Sequence, residues 1–149
     1  MARIVGGVGT SHTPAMGAAL DLGKTQEDYW APVFAGYEPA KQWMAETAPD
    51  VAIVVFNVHV NAFDFKIIPT FALGCAEQCP IADEGWGARP VPPVPGHPEL
   101  ASHMVQSLVL DEFDITIVNE MQVDHGLTVP MSLLYGQPQA WPVRVIPLS

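Results

Sequence analysis

The run Val51-Ala52-Ile53-Val54-Val55-Phe56 constrains the fold more than any other stretch of the chain. It is unbroken in hydrophobicity, mostly β-branched, and preceded by the breaker pair Pro49-Asp50. A strand with one wet face alternates polar and apolar residues. A continuous apolar run instead predicts a parallel strand covered on both faces. The surrounding pattern agrees. Arg3–Val8 is an apolar run ending in glycines and reads as a first buried strand, followed by a turn at Ser11-His12-Thr13-Pro14. Asp28–Ala35 and Pro39–Glu46 read as helices, the second with proline at its first position, where a missing N–H costs nothing. A shorter extended piece covers Ile67–Leu73, and a long loop spans Gly74–Gly96. Pro98–Leu110 is amphipathic, with Glu99 in the first turn where the helix dipole favours negative charge. Ile115–Asn119 reads as a strand, Val129–Leu134 as a short helix and Val143–Leu148 as a last strand. Strands alternating with helices predict an α/β fold: a mostly parallel central sheet flanked by helices, in one domain over residues 1–149.

Composition narrows the class. A chain of 149 residues with 49% hydrophobic and 15% charged residues encloses a core and is not disordered. No apolar run reaches the roughly 18 residues of a membrane span, and Met1–Ser11 lacks the basic-then-apolar order of a signal peptide. A net charge of −10 excludes broad binding to phosphate backbones or anionic membranes, which need a cationic face. The expectation is an acidic cytoplasmic protein. The 15 prolines cluster in Arg89-Pro90-Val91-Pro92-Pro93-Val94-Pro95-Gly96, which suits neither helix nor central strand and predicts a polyproline-like loop. Val143–Ser149 ends the chain on an apolar strand, so the sequence is expected to be a truncated fragment.

Five histidines occur, at 12, 59, 97, 103 and 125. His12, His59 and His125 each fall just beyond a predicted strand, and in a parallel sheet such ends share one edge, where open α/β folds place ligands. Each alone reads as a turn residue bonded to backbone. Three in the same setting weigh a metal or catalytic site evenly against that plain reading. His103 lies within Pro98–Leu110 as a surface residue, and His97 marks the start of that helix. Two imidazoles plus one carboxylate on one face of an octahedral ion is the arrangement of non-haem Fe(II) oxygenases. The carboxylate candidates are Asp64, Asp83, Glu84, Glu120 and Asp124, and no spacing singles one out. The residues alone stop at a histidine-containing metal site directed at oxygen or at hydrolysis.

Other motifs are weaker. Cys75 and Cys79 have neither redox nor zinc-ribbon spacing and read as ordinary thiols. The glycines at 6, 7 and 9 lack the lysine of a phosphate loop, and neither Ser11 nor Ser132 sits in a nucleophile-elbow pattern. The four tryptophans read as packing residues.

Longer stretches carry a resemblance. They are Met1-Ala2-Arg3, Ser11-His12-Thr13-Pro14-Ala15, Asp28–Phe34, Ile68–Gly74 and Ala82-Asp83-Glu84-Gly85-Trp86-Gly87. They continue through Gly96-His97-Pro98, Leu110–Asp114 and Val123-Asp124-His125-Gly126 to Trp141-Pro142. The chain resembles, over its whole length, the N-terminal part of class III extradiol ring-cleaving dioxygenase β subunits of the protocatechuate 4,5-dioxygenase type. The resemblance implies that His12 and His59 ligate Fe(II), that His125 lines the substrate pocket as a catalytic residue, and that Asn57 stands behind the ligands. The family's third ligand, a glutamate, and its principal acid–base histidine have no counterpart in this chain. The family usually reads Asn-Asp-His where this chain has Asn57-Val58-His59. An acid there would orient a ligand, and such partners tune metal affinity by about 10–100-fold.

The implied reaction is insertion of O2 into the ring of protocatechuate or a related catechol acid such as gallate. The implied partners are a small α subunit, with Gly74–Gly96 as a contact surface, and a dimer of such pairs. An anionic substrate on this acidic protein needs local positive charge, for which Lys66, Arg89, Arg144, helix N-termini and the iron are the candidates. Two other classes compete with the enzyme: a non-catalytic homologue serving as a binding or assembly module, and a zinc-dependent hydrolase indifferent to oxygen.

Overall fold

In chain order the elements are helices α1 (Pro14–Asp21), α2 (Ala31–Ala35) and α3 (Glu38–Thr47), and strands β1 (Val51–Val55), β2 (Phe71–Gly74), β3 (Gln78–Cys79) and β4 (Val94–Pro95). Helix α4 (Pro98–Leu110), strand β5 (Ile115–Val118), helix α5 (His125–Tyr135) and strand β6 (Arg144–Leu148) follow. This computed structural model describes residues 2–149, so the first residue of the Met1-Ala2-Arg3 stretch lies outside the described residues.

The four-stranded sheet has the order β1-β6-β2-β5. Strands β1 and β6 are parallel, with Val51 opposite Arg144 and Val55 opposite Leu148. Strands β2 and β5 are also parallel, but β2 meets β6 antiparallel at Leu73 and Leu148. The sheet is therefore two parallel pairs running in opposite senses. It is an α/β sheet, mostly parallel, with helices on both faces.

The buried-on-both-faces expectation is met by β6 rather than β1. Val145 joins the main core with Leu127, Met131 and Trp141, whereas Ile146 faces Ala101 and Val105 of α4. Helix α4 reaches Val51 in β1 but no further along the strand, so Ile53 and Val55 are exposed.

Several boundaries differ from those read in the sequence. Arg3–Val8 is not a strand: residues 2–9 are irregular and exposed. Gly6 and Gly7 give that run no side chain to bury, and it pairs with none of the described strands, although β1 and β5 are edge strands. The helix expected from Asp28 begins at Ala31, because Pro32 fits only a first turn. The extended piece expected from Ile67 starts at Phe71, after Pro69, and Ile67 and Ile68 are exposed. The Gly74–Gly96 loop folds inward, burying Cys79, Ala82, Val91 and Val94, and pairs β3 with β4. Both cysteines are free, and burial pushes the Cys79 thiol up to about 11, which keeps it protonated and inert at neutral pH.

Helix α1 was not visible in the sequence. It packs on α5 with Met16 and Ala19 against Val129 and Leu133. Gly17 permits this closeness, since a Cβ there would lie 2.9 Å from the Val129 side chain. The contact is locked by Arg89, whose guanidinium donates to Asp21 through Nε at 3.0 Å and Nη2 at 2.7 Å, and to Ser132 Oγ at 3.3 Å. The Arg89 side chain is only 6% exposed, so removing its partner strands a buried charge. Asp21→Ala is expected to lower the unfolding free energy by about 2–3 kcal/mol, just under the usual range for a broken buried pair because Asp21 keeps some contact with water. Chemical denaturation measures this, and a change below about 1 kcal/mol would show the pair to be unimportant.

Candidate active site

Helix α5 begins earlier than the sequence suggested, at His125, because Asp124 caps it. The Asp124 backbone is extended, and its Oδ1 accepts from the Gly126 N–H at 2.8 Å. Gly126 lets the helix end approach β1: a Cβ there would stand 2.8 Å from the Asn57 carbonyl oxygen. The other Asp124 oxygen, Oδ2, accepts from the His59 backbone N–H at 2.6 Å and from the Asn61 amide at 3.1 Å. One carboxylate, 1% exposed, thus ties the end of β1 to the start of α5. Val60, next to His59, has φ of 62°, a strained conformation for a β-branched residue.

These contacts bring three histidines together. Ring centroids lie 5.3 Å apart for His12 and His59, 5.9 Å for His12 and His125, and 4.0 Å for His59 and His125. They line one cavity of about 480 Å³ with Thr10, Ser11, Thr13 and Pro14. The convergence has a different origin from the one expected. Strand β5 runs opposite to β1, so its carboxyl end does not share the His59 edge. The chain returns through residues 119–124, hydrogen-bonded along Pro80–Ala82, before reaching His125. His12 is delivered by the start of α1, not by a strand.

His125 is buried and its ring nitrogen Nδ1 is bonded to Glu84 Oε2, while Glu84 Oε1 accepts from the His125 backbone N–H at 2.9 Å. Of the five carboxylate candidates, only Glu84 and Asp124 touch the histidines. Asp64 is exposed and near Lys66, Asp83 accepts from Gly85 and Gly87 within its own turn, and Glu120 is exposed. Asn57 is exposed, with its carbonyl against Gly126. Val58 packs against the main core. His97 caps α4, its Nδ1 accepting from the Leu100 N–H, and His103 is exposed. None of the three cations named as charge sources lines the cavity. Arg89 is engaged with Asp21, Lys66 is exposed, and Arg144 sits at the far end of β6. The N-termini of α1 and α5 do meet there, and both present partial positive charge.

A divalent ion fits this donor set. His59 Nδ1 is buried without a hydrogen-bond partner, although Asp124 Oδ2 is 3.3 Å away. Such an orphaned nitrogen is costly unless something binds it. With metal–nitrogen bonds of about 2.1 Å, two imidazoles on one ion have ring centroids roughly 4–6.5 Å apart, and all three histidine pairs lie within that span. His59, Asp124 and His125 also offer one ligand atom each, all within 4.8 Å of one another. Imidazole with carboxylate suits first-row divalent metals.

An α/β sheet with three histidines and two carboxylates gathered beyond the end of β1 offers a donor set for a metal ion. The sequence profile described as "Catalytic LigB subunit of aromatic ring-opening dioxygenase" matches residues 6–149, and the chain belongs to that family. It is 46% identical over 69 residues to gallate dioxygenase of Pseudomonas putida, covering 46% of this chain and 20% of that protein. It is 29% identical over 134 residues to 2,3-dihydroxyphenylpropionate/2,3-dihydroxicinnamic acid 1,2-dioxygenase of Mycobacterium sp. (strain MCS), covering 90% of this chain and 40% of that protein. The enzyme of the same name from Klebsiella pneumoniae is 31% identical over 126 residues, 85% of this chain and 38% of that protein. The chain thus spans 40% or less of the length of these relatives. No helix among the described residues is long and apolar enough to cross a membrane.

Proposed function

We propose that the chain is the N-terminal part of the catalytic subunit of an Fe(II)-dependent extradiol dioxygenase. Its substrate is a catechol acid, protocatechuate as in protocatechuate 4,5-dioxygenase β subunits, or gallate. The observation that carries this reading is the meeting of His12, His59 and His125 at one cavity in a chain of the LigB family. In this reading His12 and His59 hold the iron, and a remaining ligand comes from outside these residues. A ferrous ion held there would supply Lewis acidity toward the diol and a redox-active centre between ring and dioxygen. The residues of this chain do the rest. His125 faces the cavity and moves a proton at the ring hydroxyl oxygen. Asn57 backs the ligand end of β1. The two helix N-termini compensate the substrate's negative charge in place of a side-chain cation. The enzyme acts in the cytoplasm, and its small α subunit contacts the exposed tip of the Gly74–Gly96 loop, where Trp86 is 72% exposed.

Anaerobic Fe(II) reconstitution of the full-length subunit with its partner, followed by exposure to oxygen and catechol acids, tests the reading. Ring-opened yellow product is expected from protocatechuate or gallate. No product from any catechol acid would overturn it.

A further inference from the structure

Glu84 is 6% exposed and holds His125 twice, through the backbone N–H and through ring Nδ1. Its own place is set by the turn that Asp83 closes on the Gly85 and Gly87 N–H groups, each at 2.9 Å. Two nitrogens of one residue therefore converge on one side chain. Only an ionised carboxylate accepts both. An amide has a single accepting oxygen, so glutamine would meet one of the two N–H groups with another N–H.

We propose that Glu84 is a positioning residue that fixes the tautomer of His125. With Oε2 accepting at Nδ1, the proton of the neutral ring sits on Nδ1, and Nε2 is left with a bare lone pair on the cavity side of the ring. That is the form needed to accept a proton from a substrate hydroxyl. With Oε1 on the backbone N–H, the same carboxylate also holds the first turn of α5 in place, so the ring is anchored from a fixed backbone and turns away only by breaking the bond at Nδ1. The catalytic consequence rests on the proposed dioxygenase reading. The tautomer does not.

Long-range ¹H–¹⁵N correlation spectra of the metal-free, full-length protein labelled in histidine test it, at a pH where the ring is neutral. The His125 signals are assigned by their loss in His125→Gln. In the unsubstituted protein Nδ1 is expected to carry the proton and Nε2 to be bare. In Glu84→Gln the pattern is expected to reverse, with the amide donating to Nδ1 and the proton moved to Nε2. A wild-type ring protonated on Nε2 overturns the proposal, and that spectrum decides even where Glu84→Gln fails to fold. A pattern unchanged in a folded Glu84→Gln overturns it too. In the iron-loaded enzyme Glu84→Gln is expected to lower kcat by about 10–100-fold, the usual effect of losing a partner behind a working histidine. KM and iron content should stay within about twofold. An unchanged kcat would refute the catalytic consequence. If no catechol acid is turned over by the unsubstituted enzyme, the dioxygenase reading has failed, and the spectra alone judge Glu84.

Discussion

Asp124→Ala is expected to remove at least about 4 kcal/mol of stability. The cap on α5 accounts for about 1 kcal/mol, and hydrogen bonds from a charged acceptor contribute about 1.5–3 kcal/mol each. Two such bonds, to the His59 N–H at 2.6 Å and the Asn61 amide at 3.1 Å, go with the side chain. The site is 1% exposed, so water cannot easily replace what is lost. Against a typical total of about 5–15 kcal/mol, this is a large fraction. A lower urea midpoint with an unchanged slope is the expected record. Asp124→Asn keeps one accepting oxygen and should recover part of the loss, because an amide can still cap the helix. A loss below about 1 kcal/mol for the alanine variant would mean that the β1–α5 junction stands without its carboxylate.

That junction also shows why the site was only partly legible in the sequence. The three histidines were visible as residues near strand ends, and they do meet. The premise that brought them together was incomplete, since β5 runs against β1 and no strand precedes His12. Strand direction is decided by long-range pairing, here Leu73 opposite Leu148 with reciprocal backbone hydrogen bonds between Ala72 and Ser149, which no local pattern encodes. Helix α1 was missed because its small residues give little periodicity; its signal was the pair Thr13-Pro14 before an alanine-rich stretch. Asp124 and Glu84 stood among five equal carboxylates. The capping signal of Asp124 before His125-Gly126 could have separated it, whereas Glu84 is placed by a turn that only the folded loop reveals. Val51–Val55, Pro98–Leu110 and Arg144–Leu148 were legible because apolar runs and a proline-led amphipathic helix carry their instructions locally.

His12→Ala and His59→Ala are expected to lower metal affinity by at least about 100-fold, beyond the 10–100-fold typical of residues that only support a ligand. His125→Ala should leave affinity within about threefold and lower kcat by about 10²–10⁴-fold, the contribution of a positioned proton carrier. Geometry alone offers a rival trio, since His59, Asp124 and His125 also lie within 4.8 Å of one another. Prior commitments favour the His12–His59 pair. The Asp124 oxygens already accept from Gly126, His59 and Asn61, and His125 Nδ1 is bonded to Glu84. An ion held by Asp124 would compete with that network, whereas the His12 ring is only half buried and faces the cavity with no such bond. Anaerobic equilibrium dialysis of the full-length protein with Fe(II) separates the two sets. Loss of iron in His12→Ala with retention in His125→Ala supports the His12–His59 pair. The reverse result would move the metal to the Asp124 side and remove His125 from proton transfer.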